Sequence, residues 1–316
     1  MNYMDACFKP DYNKAKSKSE AIFEGTNYRI TILSERLVRL EYNKDGQFFD
    51  DLTELVRNRD FDIPEFKVNQ DDKYLEITTK YFMLKYVKEK PFEGLNIEIY
   101  LLNTDKIWNV KSKEVRNFNT SGQGFILDKA DYQKGLYSVD GFVTLDDNAS
   151  MIINQDGFLT PNVENRFDKY VFMYRRDFGM CLKDYFTLTG YPPLIPRYAL
   201  GNWWNKSEIY NFMDVSNLLS KFNREDIPLA VVLLDEFWHL KDARDLDKYK
   251  TGFTFNRNLF SDPVYFTNFL HEKGVKLGLN INPTEGIMPH EDAYDMIASQ
   301  LGLNDKSTIP FNAFDK

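Results

Sequence analysis

An antiparallel β-sandwich followed by the opening of a parallel (β/α)8 TIM barrel, α/β plus all-β in class, is the fold this sequence predicts. Three observations predict it. Apolar and polar residues alternate with period two through the first half, the chain punctuation changes after Gly190, and the apolar runs beyond that point are each followed by a helical stripe. At 316 residues the chain exceeds the roughly 250–300 at which single cores stop growing, so two domains are expected, 1–190 and 191–316.

The sandwich runs from about Asn27 to about Met180. Val38, Leu40 and Tyr42 alternate with Arg39 and Glu41, and Leu75–Val87 and Phe142–Ile153 repeat the pattern. Turns are marked by Lys44-Asp45-Gly46, Asp71-Asp72 and Gln155-Asp156-Gly157. Sheets of this kind put one face on the core and the other, here Arg39 and Glu41, toward water.

Pro192, Pro193 and Pro196 then form a stiff connector. Ala199–Trp204 reads as a strand, and Phe212, Val215, Leu219 and Phe222 make a helical stripe. Pro228–Leu234 is a continuous apolar run, as a strand covered on both faces requires. Asp262 and Pro263 supply an N-cap and a first helical residue for a helix that stops at Gly274. Val275–Ile281 is a third strand, and Tyr294, Ile297, Ala298 and Leu301 mark a last helix. These are three β/α units, whereas an eight-stranded barrel takes roughly 250 residues, so the barrel is expected to be incomplete within this sequence. Another stretch of barrel is the partner this implies.

Composition narrows the function. A net charge of -8 with no basic stripe argues against nucleic acid and anionic membrane, since nothing is present to displace phosphate counterions. No run approaches the roughly 20 apolar residues of a membrane span, and Met1–Pro10 does not read as a signal peptide. With Cys7 and Cys181 as the only cysteines, a cytoplasmic protein is expected. His239, His271 and His290 share no metal-ligand spacing, so neither metal nor cofactor is expected. The 26 Phe and 19 Tyr serve either as sugar-stacking surfaces or as core filling.

Several motifs stand in a fixed order. Leu188-Thr189-Gly190-Tyr191-Pro192-Pro193-Leu194-Ile195-Pro196-Arg197-Tyr198-Ala199-Leu200-Gly201-Asn202-Trp203-Trp204 comes first, followed by Leu234-Asp235-Glu236-Phe237-Trp238-His239. Gly252-Phe253-Thr254-Phe255-Asn256, Leu259-Phe260-Ser261-Asp262-Pro263 and Leu279-Asn280-Ile281-Asn282-Pro283 complete the series. Upstream, Arg36–Tyr42, Asn58-Arg59 and Asp140-Gly141 accompany them. From Asn27 to Asp315 the chain thereby resembles the amino-terminal portion of glycoside hydrolase family 31, the α-glucosidase and α-xylosidase family, whose first domain is a galactose-mutarotase-like sandwich.

The resemblance implies retaining hydrolysis of α-glycosides, with an aspartate nucleophile ending a fourth barrel strand and an aspartate acid/base after a sixth. No catalytic residue is therefore assigned within this chain, and both carboxylates are expected beyond Lys316. The resemblance further implies that Asp235 binds sugar hydroxyls, that Trp204 walls the subsite, that Asn280 and His239 line it, and that Asp128 reaches it from a sandwich loop. Plainer roles stay open: Asp235 as a helix cap, Trp203 or Trp204 as packing, Asn280 and Asp128 as turn residues. Lys206 and Ser207 stand where the family has Arg and Tyr, and Phe237 replaces a second acid. The leading expectation is hydrolysis of α-glucosides, with an α-linked oligosaccharide as substrate. An α-xylosidase or α-glucosyltransferase is the nearest rival, and a non-catalytic carbohydrate-binding remnant is the rival of a different class.

Overall fold

The computed structural model describes residues 10–113, 117–118, 135–162, 166–241 and 251–311. The chain divides into two compact units, Met1–Pro192 and Pro193–Lys316. In the first unit the strands are β1 (Ile22–Glu24), β2 (Tyr28–Ser34), β3 (Leu37–Tyr42), β4 (Lys67–Gln70), β5 (Tyr74–Thr78), β6 (Phe82–Val87), β7 (Ile97–Leu101), β8 (Ile107–Trp108), β9 (Asn117–Phe118), β10 (Tyr137–Ser138), β11 (Phe142–Asp146), β12 (Ile152–Ile153), β13 (Leu159–Thr160) and β14 (Phe167–Met173). Helix α1 (Phe178–Thr189) follows.

Two antiparallel five-stranded sheets, ordered β1-β2-β3-β14-β11 and β4-β5-β6-β7-β8, form the sandwich. Ile30, Val38, Leu40 and Val171 of the first sheet meet Leu75, Ile77, Leu84 and Ile99 of the second in one buried cluster. Each such side chain contributes roughly 1.5–3 kcal/mol on burial. The other face of the first sheet is covered too: Leu33, Leu37, Tyr170 and Phe172 pack with Val56 and with Cys181 and Leu188 of α1. Burial pushes the Cys181 thiol well up, so it is inert at neutral pH.

That second layer overturns the expectation that Arg39 and Glu41 face water. Both are buried. The Arg39 guanidinium donates from Nε and Nη2 to the Asp168 carboxylate at 2.9 and 2.7 Å and from Nη2 to the Phe49 carbonyl at 3.0 Å. Arg29 donates from Nε and Nη2 to Glu41 at 2.6 and 2.8 Å. Alternation reports which residues share a face, but not what later covers it.

The second unit contains β15 (Trp203–Lys206), α2 (Phe212–Arg224), β16 (Val231–Leu234), α3 (Pro263–Glu272), β17 (Lys276–Leu279) and α4 (Tyr294–Gln300). The strands form a parallel sheet in the order β15-β16-β17, with Trp203 opposite Val231 and Val231 opposite Lys276. Helices join successive strands, as parallel pairs need a crossover. Val215 and Leu219 of α2 and Phe266 and Leu270 of α3 bury against Val232 and Leu234. Asn211 opens α2 through a reciprocal capping box with Asp214, and Asp262 caps α3 by accepting from Tyr265 N at 2.9 Å.

Where Ala199–Trp204 was expected as a strand, Arg197–Leu200 instead makes a short 3-10 turn behind Pro196, and the strand starts at Trp203. Gly201 is required at that junction, because a Cβ there would lie 2.4 Å from that of Ala230.

Candidate functional site

The parallel arrangement brings the carboxyl ends of β15, β16 and β17 to one end of their sheet, where barrel enzymes place their site residues. Lys206 ends β15, Asp235 follows β16 and Asn280 follows β17. Backbone pairing persists just past the strands, since Asn280 N donates to Leu234 O at 2.9 Å. That bond puts Asp235 and Asn280 side by side, and Asn280 Nδ2 donates to Asp235 Oδ1 at 2.7 Å. Glu236 N donates to the same oxygen at 2.9 Å. The Asn280 amide, foremost among these donors, holds the Asp235 carboxyl below its ordinary range. A group so held stays an anion at neutral pH and accepts hydrogen bonds; it does not donate a proton.

Trp238 braces this pair from the interior. It is buried, its indole N–H donates to the Asn280 carbonyl at 2.9 Å, and its ring meets Phe255 edge-on at 4.8 Å. One supporting residue is not legible in the sequence. Trp238 stood inside a recognised motif without an assigned role.

The two tryptophans of β15 lie on opposite faces of the sheet. Trp204 lies opposite Val232, on the helix-covered face, and its ring meets Phe222 of α2 edge-on at 5.6 Å. It therefore packs between sheet and helix. Trp203 points to the opposite face, by the period of two, and is 47% exposed. Of the pair, Trp203 is the one with open ring surface.

His239 is also corrected: it is buried, not open to a ligand. Its Nδ1 lies 3.0 Å from the Leu240 carbonyl, and it bridges to Phe255. A Cβ on Gly252 would stand 2.0 Å from that ring nitrogen, so the loop passes tight against the imidazole. Asp128 lies outside the described residues. Elsewhere in the sandwich, Asp146 pairs with Lys169 at 2.9 Å, and Asp147 is buried and accepts from Thr53 Oγ1, also at 2.9 Å. Among the described residues no group of three His, Cys, Asp or Glu side chains is placed to hold a metal ion.

The comparisons with known proteins fit this geometry. Residues 192–311 match the family described as "Glycosyl hydrolases family 31 TIM-barrel domain". An α-xylosidase of Saccharolobus solfataricus is 31% identical over 123 residues, 38% of this chain and 16% of that protein. An isomaltosyltransferase of Sporosarcina globispora is 24% identical over 201 residues, 59% of this chain and 18% of that protein. A family 31 dextranase of Flavobacterium johnsoniae, solved with glucose, superposes with a TM-score of 0.59 at 17% identity over 89% of this chain and 39% of its own. The chain thus spans well under half the length of these relatives. Over residues 192–311 the chain is thus similar to the family 31 TIM-barrel domain, and it shares its fold with solved family 31 enzymes.

Proposed function

We propose that this chain supplies the sandwich and the sugar-binding opening of the barrel of a retaining α-glycosidase. The observation that supports it is the Asp235–Asn280 pair. An ionised carboxylate and an amide, already bonded to each other at the ends of adjacent parallel strands, present acceptors and donors to vicinal hydroxyls. In such a site a contact accelerates the reaction only where it strengthens in the transition state, and otherwise it serves binding alone. The substrate class is a neutral α-linked glucosyl oligosaccharide, in keeping with the acidic, non-basic composition.

Cleavage itself belongs elsewhere in this reading. A retaining glycosidase needs two carboxyls about 5–5.5 Å apart, one attacking the anomeric carbon and one protonating the leaving oxygen. The resemblance puts these on a fourth strand and after a sixth, outside the three strands described. Asp235, held ionised, does not serve as the acid. In this reading the strands described here bind the sugar, and hydrolysis requires the two carboxyls of the later strands.

An α-xyloside is the second reading, favoured by the 31% identity to an α-xylosidase over 123 residues. Nitrophenyl α-glucoside and α-xyloside, offered to this chain alone and to an enzyme in which it is continued by the remaining barrel, test both points. The chain alone is expected to release no nitrophenol, and the continued enzyme to prefer the glucoside. Turnover by the chain alone that survives repurification and is lost on mutating one of its own residues contradicts the division of labour. A preference for the xyloside selects the second reading.

A further inference from the structure

Glu291 is buried, 4% exposed, in the loop between β17 and α4. Among the described residues its carboxylate accepts only from Phe253 N, at 3.2 and 3.3 Å. Taking a carboxylate out of water is costly, and one backbone N–H is a small return for stability. Its consequence is better sought in what that N–H belongs to.

Phe253 sits in a segment that lies between two loops of the sheet's carboxyl end. On one side, Glu285 Oε2 accepts from Thr251 N at 3.1 Å while Thr251 Oγ1 accepts from Glu285 N at 3.0 Å, and Thr254 Oγ1 accepts from Asp292 N at 2.9 Å. These bonds, with that of Glu291, fasten Thr251–Thr254 to the loop after β17. On the other side, Leu240 N donates to Thr254 O at 2.7 Å and Asn256 N to Trp238 O at 3.0 Å. These fasten the same segment to the stretch after β16. The ring then closes: the Trp238 indole N–H bonds the Asn280 carbonyl, and the Asn280 amide bonds Asp235.

We propose that Glu291 is a positioning residue of the sugar subsite, clasping the loop after β16 to the loop after β17 and thereby fixing Asp235 against Asn280. The ligand half of this inference rests on the proposed function; the clasp does not. Supporting groups of this kind set whether a binding pair is held to the tolerance its chemistry needs.

The indole proton of Trp238, assigned by its loss in Trp238→Phe, reads the clasp directly, by NMR exchange with solvent and without any sugar. In Glu291→Ala its exchange is expected to quicken by about tenfold or more, the factor that follows from orphaning one buried backbone N–H. Glu291→Gln, which keeps an acceptor oxygen, is expected to restore slow exchange. Thr254→Val, nearly isosteric, removes the acceptor for Asp292 N and is expected to quicken exchange even if Glu291→Ala does not fold. Unchanged exchange in Thr254→Val, or in a folded Glu291→Ala, overturns the clasp. Should the clasp hold while Asp235→Ala leaves the continued enzyme fully active, the functional reading fails and the clasp remains.

Discussion

Asp168 and Asp147, both buried in the sandwich, answer to opposite forces. Burial works to raise the Asp168 carboxyl, but the Arg39 guanidinium, bonded to it through two nitrogens, holds it below its ordinary value. Asp147 lacks such a partner: Arg59 Nη2 is 3.8 Å away, and burial, aided by the Asp168 charge, pushes the carboxyl up. Asp168→Asn is expected to cost up to about 3–5 kcal/mol, because it removes the carboxylate bonded to two nitrogens of the buried Arg39 guanidinium, leaving Glu41 at 3.1 Å and Asp50 at 3.4 Å as its remaining counter-charges. Asp147→Asn is expected to cost under about 1 kcal/mol, since an amide oxygen still serves Thr53. The pH dependences differ in sign. Asp168, with its folded value depressed, contributes stability that is complete above its unfolded value of about 3.9 and lost as pH falls through the folded value. Asp147, with its folded value raised, gives up its proton first in the unfolded chain. Stability therefore declines as pH rises from about 3.9 toward the folded value. Denaturant unfolding across a pH series checks both: Asp168→Asn removes acid-side loss and Asp147→Asn removes the decline above it.

The elements were legible in the sequence where a local rule governs them and obscure where a neighbour intervenes. Asp262 with Pro263 marked the start of α3 because a cap and a prolyl ring act within one turn. The apolar run Pro228–Leu234 contains β16 because a strand covered by helices has few polar positions. The face of Trp204 is not legible locally because the register that sets it belongs to β16, and the start of β15 because Gly201 packs against Ala230, some thirty positions away. Arg39 and Glu41 read as water-facing for the same reason: the covering layer comes from residues 49–59 and from α1. Of the candidate site, the strand-end positions Asp235 and Asn280 are readable, whereas the Trp238 contact with Asn280 depends on a strand neighbour and carries no local signal. The capping box of α2 is a local device and makes a local prediction. Asn211→Ala is expected to lower stability by roughly 0.5–2 kcal/mol, read by the thermal midpoint, with the helical circular dichroism of the folded state retained.

On the scale of the molecule, the two units differ in how completely their sheets are enclosed. The central strands β2, β3 and β14 have apolar cover on both faces, while β15 is largely exposed and β17 only half-buried. Amide hydrogen exchange is therefore expected to be slowest in β2, β3 and β14 and faster in β15–β17, since opening is easiest where few apolar contacts must be broken. Equal protection in the two sheets would contradict that ordering. The three parallel strands matter to function only if their carboxyl ends bind sugar, and Asp235 carries that claim. The most direct measurement is the catalytic efficiency on an α-glucoside of Asp235→Ala, made in an enzyme in which this chain is continued by the remaining family barrel, beside its thermal midpoint. A fall of about tenfold to over a hundredfold with an unchanged midpoint is the predicted result, the loss of one charged partner to a sugar hydroxyl in the transition state. An earlier midpoint with normal efficiency per folded molecule would make Asp235 a structural residue and contradict the account.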